Sequence, residues 1–552
     1  MKNSYAISLV LHAHLPFVRE YNGANDFRHA AEESRFFDAL SETYIPLLQM
    51  FDRLENSRIP FKLGFSISPL LCQMLSDELL LKKYLAYTDK QIEFGKRELE
   101  RTAATAGDSG ALHALAKHNL DRIVDQKIVF QERYEGNILK TIDFYSRKGR
   151  LEILAGPVTH AFLPFQNLPG AIAAQIETAL PFYRQHFGGR PYGFWLPELG
   201  WNASVESFLR YYGFGYTIVD THGLIFGSPP PQKGSFYPIK TPGGIFVYGR
   251  DFYAAREIEA AAVDSVYRDN DKDAGYELSI EEISPFLNRE GERRPTGFKY
   301  WHRCEADQNS VLCKDGLYDP KAAAEKAAEK AKTFLENRLK SLAAAGEHIE
   351  GTPISLCAYN ADSFGRFWHE GTQFLEALFR LVAAPFGVPN GVPDGAPAGE
   401  LAFVSPSEYL YEQDIASLQT STPEFSSWGY NGYGETWLAA SNDWMYRHIF
   451  RATERMVELA ERFPDATGLK ERALNQAARE ILLAQSSDWP ELLYRQDGAS
   501  YARSRVEGSL RNFTTIYEAL GSNYISTEWL TTLERRHNVF ANINYRVFRR
   551  KK

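Results

Sequence analysis

Cysteine is scarce, with four residues in 552: Cys72, Cys304, Cys313 and Cys357. They are scattered and form no CxxC pair, which argues against a disulfide framework or a thiolate zinc site and points to a reducing compartment. Long hydrophobic runs are also missing. The N-terminal AISLVL is too short for a signal-peptide core and has no cleavage site after it. No stretch reaches the roughly 20 apolar residues that span a bilayer. A soluble, cytoplasmic protein with no membrane partner is expected. Positive charge is nowhere concentrated except in the terminal RRKK, and the net charge is -8. Nucleic acid is therefore not expected as a partner, and a neutral or weakly polar ligand fits better. The chain shows no internal repeats.

Aromatic side chains, by contrast, are plentiful: 30 Tyr, 9 Trp and 36 Phe in a chain that is 44% apolar. That much apolar surface in a chain this long predicts two or three packed units. Aromatic faces fill cores, and they also pack on the apolar faces of sugar rings.

Short β-rich runs recur through the first 400 residues: YAISLVL, FKLGFSIS, LEILAG, PYGFWLPE, GYTIVD, GGIFVYGR, PISLCAY and LAFVSP. Helix-like segments separate most of them, which predicts an α/β fold with a parallel, barrel-type sheet. A helical excursion is expected at about 70–120. The Lys321–Gly346 segment reads as a surface helix rich in helix formers and ended by glycine. Beyond the Pro/Gly-rich stretch Pro385–Glu400 and one more strand the period changes. Met445, Ile449, Ala452, Met456 and Leu459 fall on one helical stripe. The expected division is a barrel-type α/β unit over 1–405 and an all-α unit over 406–552.

The runs end in residues suited to chemistry: His12 and His14, Thr159 and His160, Glu198, Asp220 and His222, Arg250 and Asp251, Asn360 and Asp362. In a parallel barrel the carboxyl ends of the strands open on one face, so these groups converge there. Glu198 sits in FWLPELGW, where Trp195, Leu196 and Trp201 would surround it with low dielectric, a setting in which a carboxylate is paired or used. If PISLCAY continues as strand, Asn360 and Asp362 project to one side. The alternative is an Asx turn that ends the strand. Two carboxyls across such a cleft, one attacking an anomeric carbon and the other protonating the leaving oxygen, are the minimum kit for glycoside chemistry. A rival remains open at this level: His-x-His at the end of a first strand, joined by His160, His222 and Asp362, is also a metal-ligand pattern.

Five segments in order, HAHLP (from His12), GPVTHAFLP (from Gly156), WLPELGW (from Trp195), AYNADSFGRFWHEG (from Ala358) and SSWGYNGYGETWL (from Ser426), resemble the motifs of the family 57 glycoside hydrolases. Within that family the chain resembles the long 1,4-alpha-glucan branching enzymes and their amylase-like relatives. GFKYWHR around Trp301, NDWMYRH after Asn442 and SSDWPELL around Asp488 extend the likeness over essentially the whole chain.

The resemblance implies an incomplete (β/α)7 barrel with an inserted helical subdomain and a C-terminal helical domain that walls the cleft. It also implies an α-glucan substrate such as glycogen, amylose or maltodextrin, and a retaining mechanism without metal or organic cofactor. Glu198 falls on the family's nucleophile. His14 and His160 match sugar-binding histidines, and Trp301, Trp428 and Trp437 match tryptophans of the acceptor side. The candidate substrate-binding set is His12, His14, His160, Trp195, Asp220, Arg250, Trp301, Phe364, Trp428, Trp437 and Asp488.

Two departures stand out. The family's general acid/base aspartate aligns with Asn360, and an amide has no proton to give at neutral pH. Either Asp362 has taken over, or the catalytic step is impaired and the chain is a glucan-binding relative. Secondly, the Gly-Tyr-Pro-Gly loop associated with branching members is absent after GGIFVYGRD, so hydrolysis of amylase type would compete better with branching.

Overall fold

The computed structural model describes residues 4–550 except 22–29, 105–108, 289, 304–315, 349 and 384–399. The Pro/Gly-rich stretch, Cys304 and Cys313 therefore lie outside the described residues, while Cys72 and Cys357 are buried free thiols.

Each of the apolar runs becomes a strand: β1 (Ser4–Ala13), β2 (Leu63–Ile67), β3 (Leu151–Ala155), β4 (Gly193–Phe194), β5 (Tyr216–Val219), β7 (Phe246–Gly249), β8 (Ile354–Asn360) and β9 (Glu400–Phe403). A further short strand, β6 (Ile239–Lys240), pairs antiparallel with β7. The sheet runs β6-β7-β5-β4-β3-β2-β1-β8, with β9 pairing β1. Every other pairing is parallel. Seven parallel strands thus follow one another from β7 to β8, as an incomplete (β/α)7 barrel requires. Parallel strands covered on both faces read as continuous apolar runs rather than alternating ones. β1, SYAISLVLHA, is buried at every position after the first.

Register brings the chemistry to one rim. His12 stands opposite both Ser66 and Asn360, and Ala13 opposite Ile67.

The helical excursion consists mainly of Glu78–Ala104 and Ser109–Ile128. Its first helix is anchored by Lys83, which is buried and donates to both oxygens of buried Glu33 at 2.8 and 2.9 Å and to the Glu20 carbonyl at 2.8 Å. The helix Pro320–Gly346 is more than a surface helix. Its Arg338 is buried and bonds Asp251 Oδ2 at 2.6 Å, bracing the end of β7. This accounts for Asp251 as a structural residue.

Beyond the sheet the chain is helical: Asp443–Arg462, Gly468–Ala484, Asp488–Arg495, Ala499–Gly521 and Thr527–Arg536. All five residues of the expected apolar stripe, Met445 to Leu459, are buried. The helical segment meets the barrel rim directly. Thr159 donates to the Leu482 carbonyl at 2.6 Å, Gln175 to Gln485 at 3.0 Å, and the Ser487 amide to the His160 carbonyl at 3.1 Å. Among the described residues no helix is long and apolar enough to cross a membrane.

Candidate active site

Glu198 lies in the tight turn Pro197–Leu199 that follows β4, with φ of 59°, and Leu199 follows at 51°. His160, just beyond β3, has φ of 57°. Non-glycine residues held in the left-handed region cost of order 1 kcal/mol or more and cluster at functional sites. The turn is closed by Gly200, where a Cβ would come 2.4 Å from the Phe162 ring, a space no side chain can share.

The Glu198 carboxylate is buried and held at both oxygens. Oε1 accepts from the Ser487 hydroxyl at 2.8 Å, and Oε2 accepts from the Trp428 indole N–H at 2.6 Å. The Trp428 amide also donates to the Glu198 carbonyl at 2.8 Å. Burial is the main force on this carboxyl and pushes its pKa up to about 8. The negative charges of Glu491 and Asp488 push the same way, against the two hydrogen bonds.

From Ser487 a chain of bonds runs back into the barrel. Ser487 Oγ meets His160 Nδ1 at 2.9 Å, His160 Nε2 meets His12 Nε2 at 2.8 Å, and His12 Nδ1 meets Ser66 Oγ at 3.0 Å. Burial drives both imidazoles well below their usual pKa, so both are neutral. With neutral rings a consistent assignment is directional: Ser66 donates to His12, His12 to His160, His160 to Ser487, and Ser487 to Glu198. The two facing Nε2 atoms are at hydrogen-bond distance, closer than the roughly 3.3 Å expected of two nitrogens on one tetrahedral ion. This does not favour the metal-ligand reading of His-x-His.

His14 completes the tier. Its Nδ1 accepts from the hydroxyl of Ser68 at 2.8 Å and its Nε2 donates to Asp488 Oδ2 at 2.9 Å. The rings are layered: His14 on His160 at 4.0 Å, His12 on His160 at 4.8 Å and His12 on Trp195 at 4.5 Å. Trp428 meets Trp195 edge-on at 5.7 Å, and the Arg250 guanidinium lies 5.4 Å above Trp428. Arg250 also donates to the Ala358 carbonyl at 3.0 Å and stands 3.6 Å from Asp220, the N-cap of the short helix Thr221–Ile225. Trp437 is buried against Phe162 at 5.2 Å, behind the Glu198 turn. His222 bonds the Gly432 carbonyl at 2.7 Å and so holds the loop after Trp428.

Glu198, His12, His14, His160, Trp195, Trp428, Arg250, Asp220 and Asp488 are thus brought together, and three other expectations need correction. β8 stops at Asn360, and Ala361–Phe364 is a helical turn, so the two-residue alternation of a strand does not carry through. Asn360 is exposed at the rim, whereas Asp362 is buried with Oδ2 on Arg366 at 2.7 Å. Oδ1 of Asp362 has no partner among the described residues, and the carboxyl makes no polar contact with the Glu198 cluster. Phe364 is fully buried among Tyr359, Trp368 and Phe374, in the core rather than the cleft. Trp301 donates to Glu277 at 2.9 Å and makes no ring contact with the cluster among the described residues. Ser66, Ser68, Ser487 and Glu491 were not singled out from the sequence: Ser66 and Ser68 carry no motif, and within SSDWPELL only Asp488 was picked as a site residue.

Residues 8–261 match the model of glycosyl hydrolase family 57, and residues 448–548 match that of the 1,4-alpha-glucan branching enzyme C-terminal region. The crystal structure of the alpha-amylase AmyC from Thermotoga maritima superposes with a TM-score of 0.88 at 33% identity, covering 100% of both chains. The chain belongs to glycosyl hydrolase family 57. The family 57 branching enzyme from Pyrococcus horikoshii shares the fold, with a TM-score of 0.84 at 24% identity over 100% of this chain and 97% of that one. The 1,4-alpha-glucan branching enzyme TK1436 of Thermococcus kodakarensis is 26% identical over 97% of this chain and 77% of its own length.

In this family 57 chain the Trp428 indole is the one donor to Glu198 Oε2 among the described residues. Trp428→Phe keeps the ring and deletes a hydrogen bond to a charged group, worth about 1.5–3 kcal/mol. The expected result is a shift of the acid limb of the pH–rate profile to higher pH by roughly one unit, read from kcat/KM between pH 5 and 9. An unmoved limb would separate Trp428 from the ionisation of Glu198.

Proposed function

We propose that the protein is a retaining glycoside hydrolase/transglycosidase acting on α-1,4-glucans, of the glucan-branching type, with Glu198 as nucleophile. One observation carries the reading. A buried carboxylate, oriented at both oxygens by Ser487 and Trp428, sits at the carboxyl ends of a parallel sheet among layered histidines and tryptophans. Such a carboxylate can attack an anomeric carbon to give a glycosyl ester, which a second nucleophile then resolves with net retention. Half-buried Asp488 offers a carboxylate oxygen to a sugar hydroxyl, and half-buried Trp428 offers a ring face. The match of residues 448–548 to the branching-enzyme C-terminal model and the names of the relatives favour a glucan 6-hydroxyl as that nucleophile.

The 33% identity to a chain named as an alpha-amylase favours water as an alternative acceptor, as does the absence of the Gly-Tyr-Pro-Gly loop. Incubation with amylose separates the two. Branching lowers iodine staining with few new reducing ends, and debranching then releases short chains. Hydrolysis raises reducing ends in step with the loss of stain. No change in either signal, with retention on a glucan gel, would reduce the protein to a glucan binder and defeat the catalytic reading.

A further inference from the structure

The position where this fold would hold its proton donor is an amide, and the Asp362 carboxyl makes no polar contact with the Glu198 cluster among the described residues. The cleft nevertheless contains another carboxyl. Glu491 lies in the first turn of the helix Asp488–Arg495, its amide donating to the Ser487 carbonyl at 3.3 Å. Residues three and four apart share one helical face, so Glu491 stands over Asp488 and Ser487. Both of those already touch the site: Ser487 bonds Glu198 at 2.8 Å, and Asp488 bonds His14 at 2.9 Å. One turn along that face sets a second carboxyl on the side of the helix that carries Ser487 and Asp488, and a pair of neighbouring carboxyls is what a retaining mechanism uses. Glu491 is also the strongest like-charge neighbour of Glu198. Its side chain is 31% exposed, open enough to meet substrate, and Arg495 holds Oε1 at 2.9 Å.

We infer that Glu491 is the general acid/base of this chain, supplied by the helical segment in place of the barrel residue at 360. The inference rests on the retaining α-glucan reading above. In the first step a Glu198 oxygen bonds to the anomeric carbon, the bond from that carbon to the leaving chain's O4 breaks, and the Glu491 proton passes to O4. In the second, the Glu491 carboxylate takes the proton of the incoming hydroxyl as its oxygen bonds to the same carbon. The ester bond breaks and its electron pair returns to Glu198. Burial and the charge of Asp488 hold the Glu491 proton above the usual carboxylate range. The charged groups facing Glu491 are Asp488 and Arg495 on its own helix, Glu198 from the barrel turn and His14 from β1.

The test compares wild type, Glu491→Gln and the double variant Glu491→Gln/Asn360→Asp on amylose and on α-maltotriosyl fluoride, whose leaving group needs no proton. Glu491→Gln is expected to lose about 10²–10⁴-fold on amylose. It should keep its burst of fluoride release, yield α-maltotriosyl azide when azide is added, and lose the alkaline limb of its pH profile. Asn360→Asp in that background is expected to restore part of the amylose activity. Unchanged amylose turnover and pH profile in Glu491→Gln, or equal losses on both donors, would overturn the assignment. Wild type that releases fluoride but leaves amylose untouched would refute Glu491 alone and leave the nucleophile standing. Wild type inert to both donors would defeat the retaining reading and this inference with it.

Discussion

Glu198→Gln abolishes turnover of amylose and of α-maltotriosyl fluoride alike, by roughly 10⁴–10⁶-fold, because an amide cannot form the glycosyl ester. Loss on both donors separates the nucleophile from a proton donor, whose removal spares the fluoride. The same variant reports on pH. Glu198 in the folded protein titrates near 8, above the ordinary 4.5 of a glutamate. A raised carboxyl pKa means that the folded state holds the proton more tightly. Its contribution to stability is therefore complete below about pH 4.5 and is lost as pH rises through about 8. Glu198→Gln escapes that loss. Its stability relative to wild type is expected to grow by roughly 3–5 kcal/mol between pH 5 and 9, measured by denaturant titration at each pH. A difference flat across that range would mean that the side chain is solvated. In the wild type, kcat/KM on the fluoride should climb with pH towards 8, as the attacking form appears.

Lys83→Met has the largest expected effect on stability away from the chemistry. Lys83 and Glu33 expose 1% and 0% of their side chains, and the ammonium spends its donors on two carboxylate oxygens and the Glu20 carbonyl. Even with the lysine in place, burial keeps the Glu33 pKa raised against the pull of Lys83. Removing the cation strands a buried carboxylate, at a cost of about 3–5 kcal/mol. The double replacement Lys83→Met/Glu33→Leu should recover most of that loss, since a well-packed apolar pair is often neutral or better. A single variant as stable as wild type would show that water reaches the pair.

The strands were legible because parallel strands buried on both faces leave unbroken apolar runs, and all eight expected runs are strands in the sheet. β6, two residues long, left no such trace. Glu198 could be singled out because a carboxylate set among Trp195, Leu196 and Trp201 in sequence stands out, and in the structure it is buried. Asp362 misled for a local reason: alternation predicts facing only while the strand lasts, and β8 ends two residues earlier. Phe364 misled in the same way, since the turn folds it inward. Ser487 and Glu491 lie far along the chain from Glu198, at the start of the helix Asp488–Arg495, and the segment SSDWPELL does not by itself say what they face. Contacts across such separations are set by tertiary packing, which no local pattern encodes.

The carboxylate of residue 198 is oriented by a hydroxyl 289 positions further along the chain. During synthesis the Glu198 carboxylate is without its Oε1 donor until residue 487 emerges and docks. The carboxylate is thus held at both oxygens only after the segment carrying residue 487 has been made and has docked on the barrel rim.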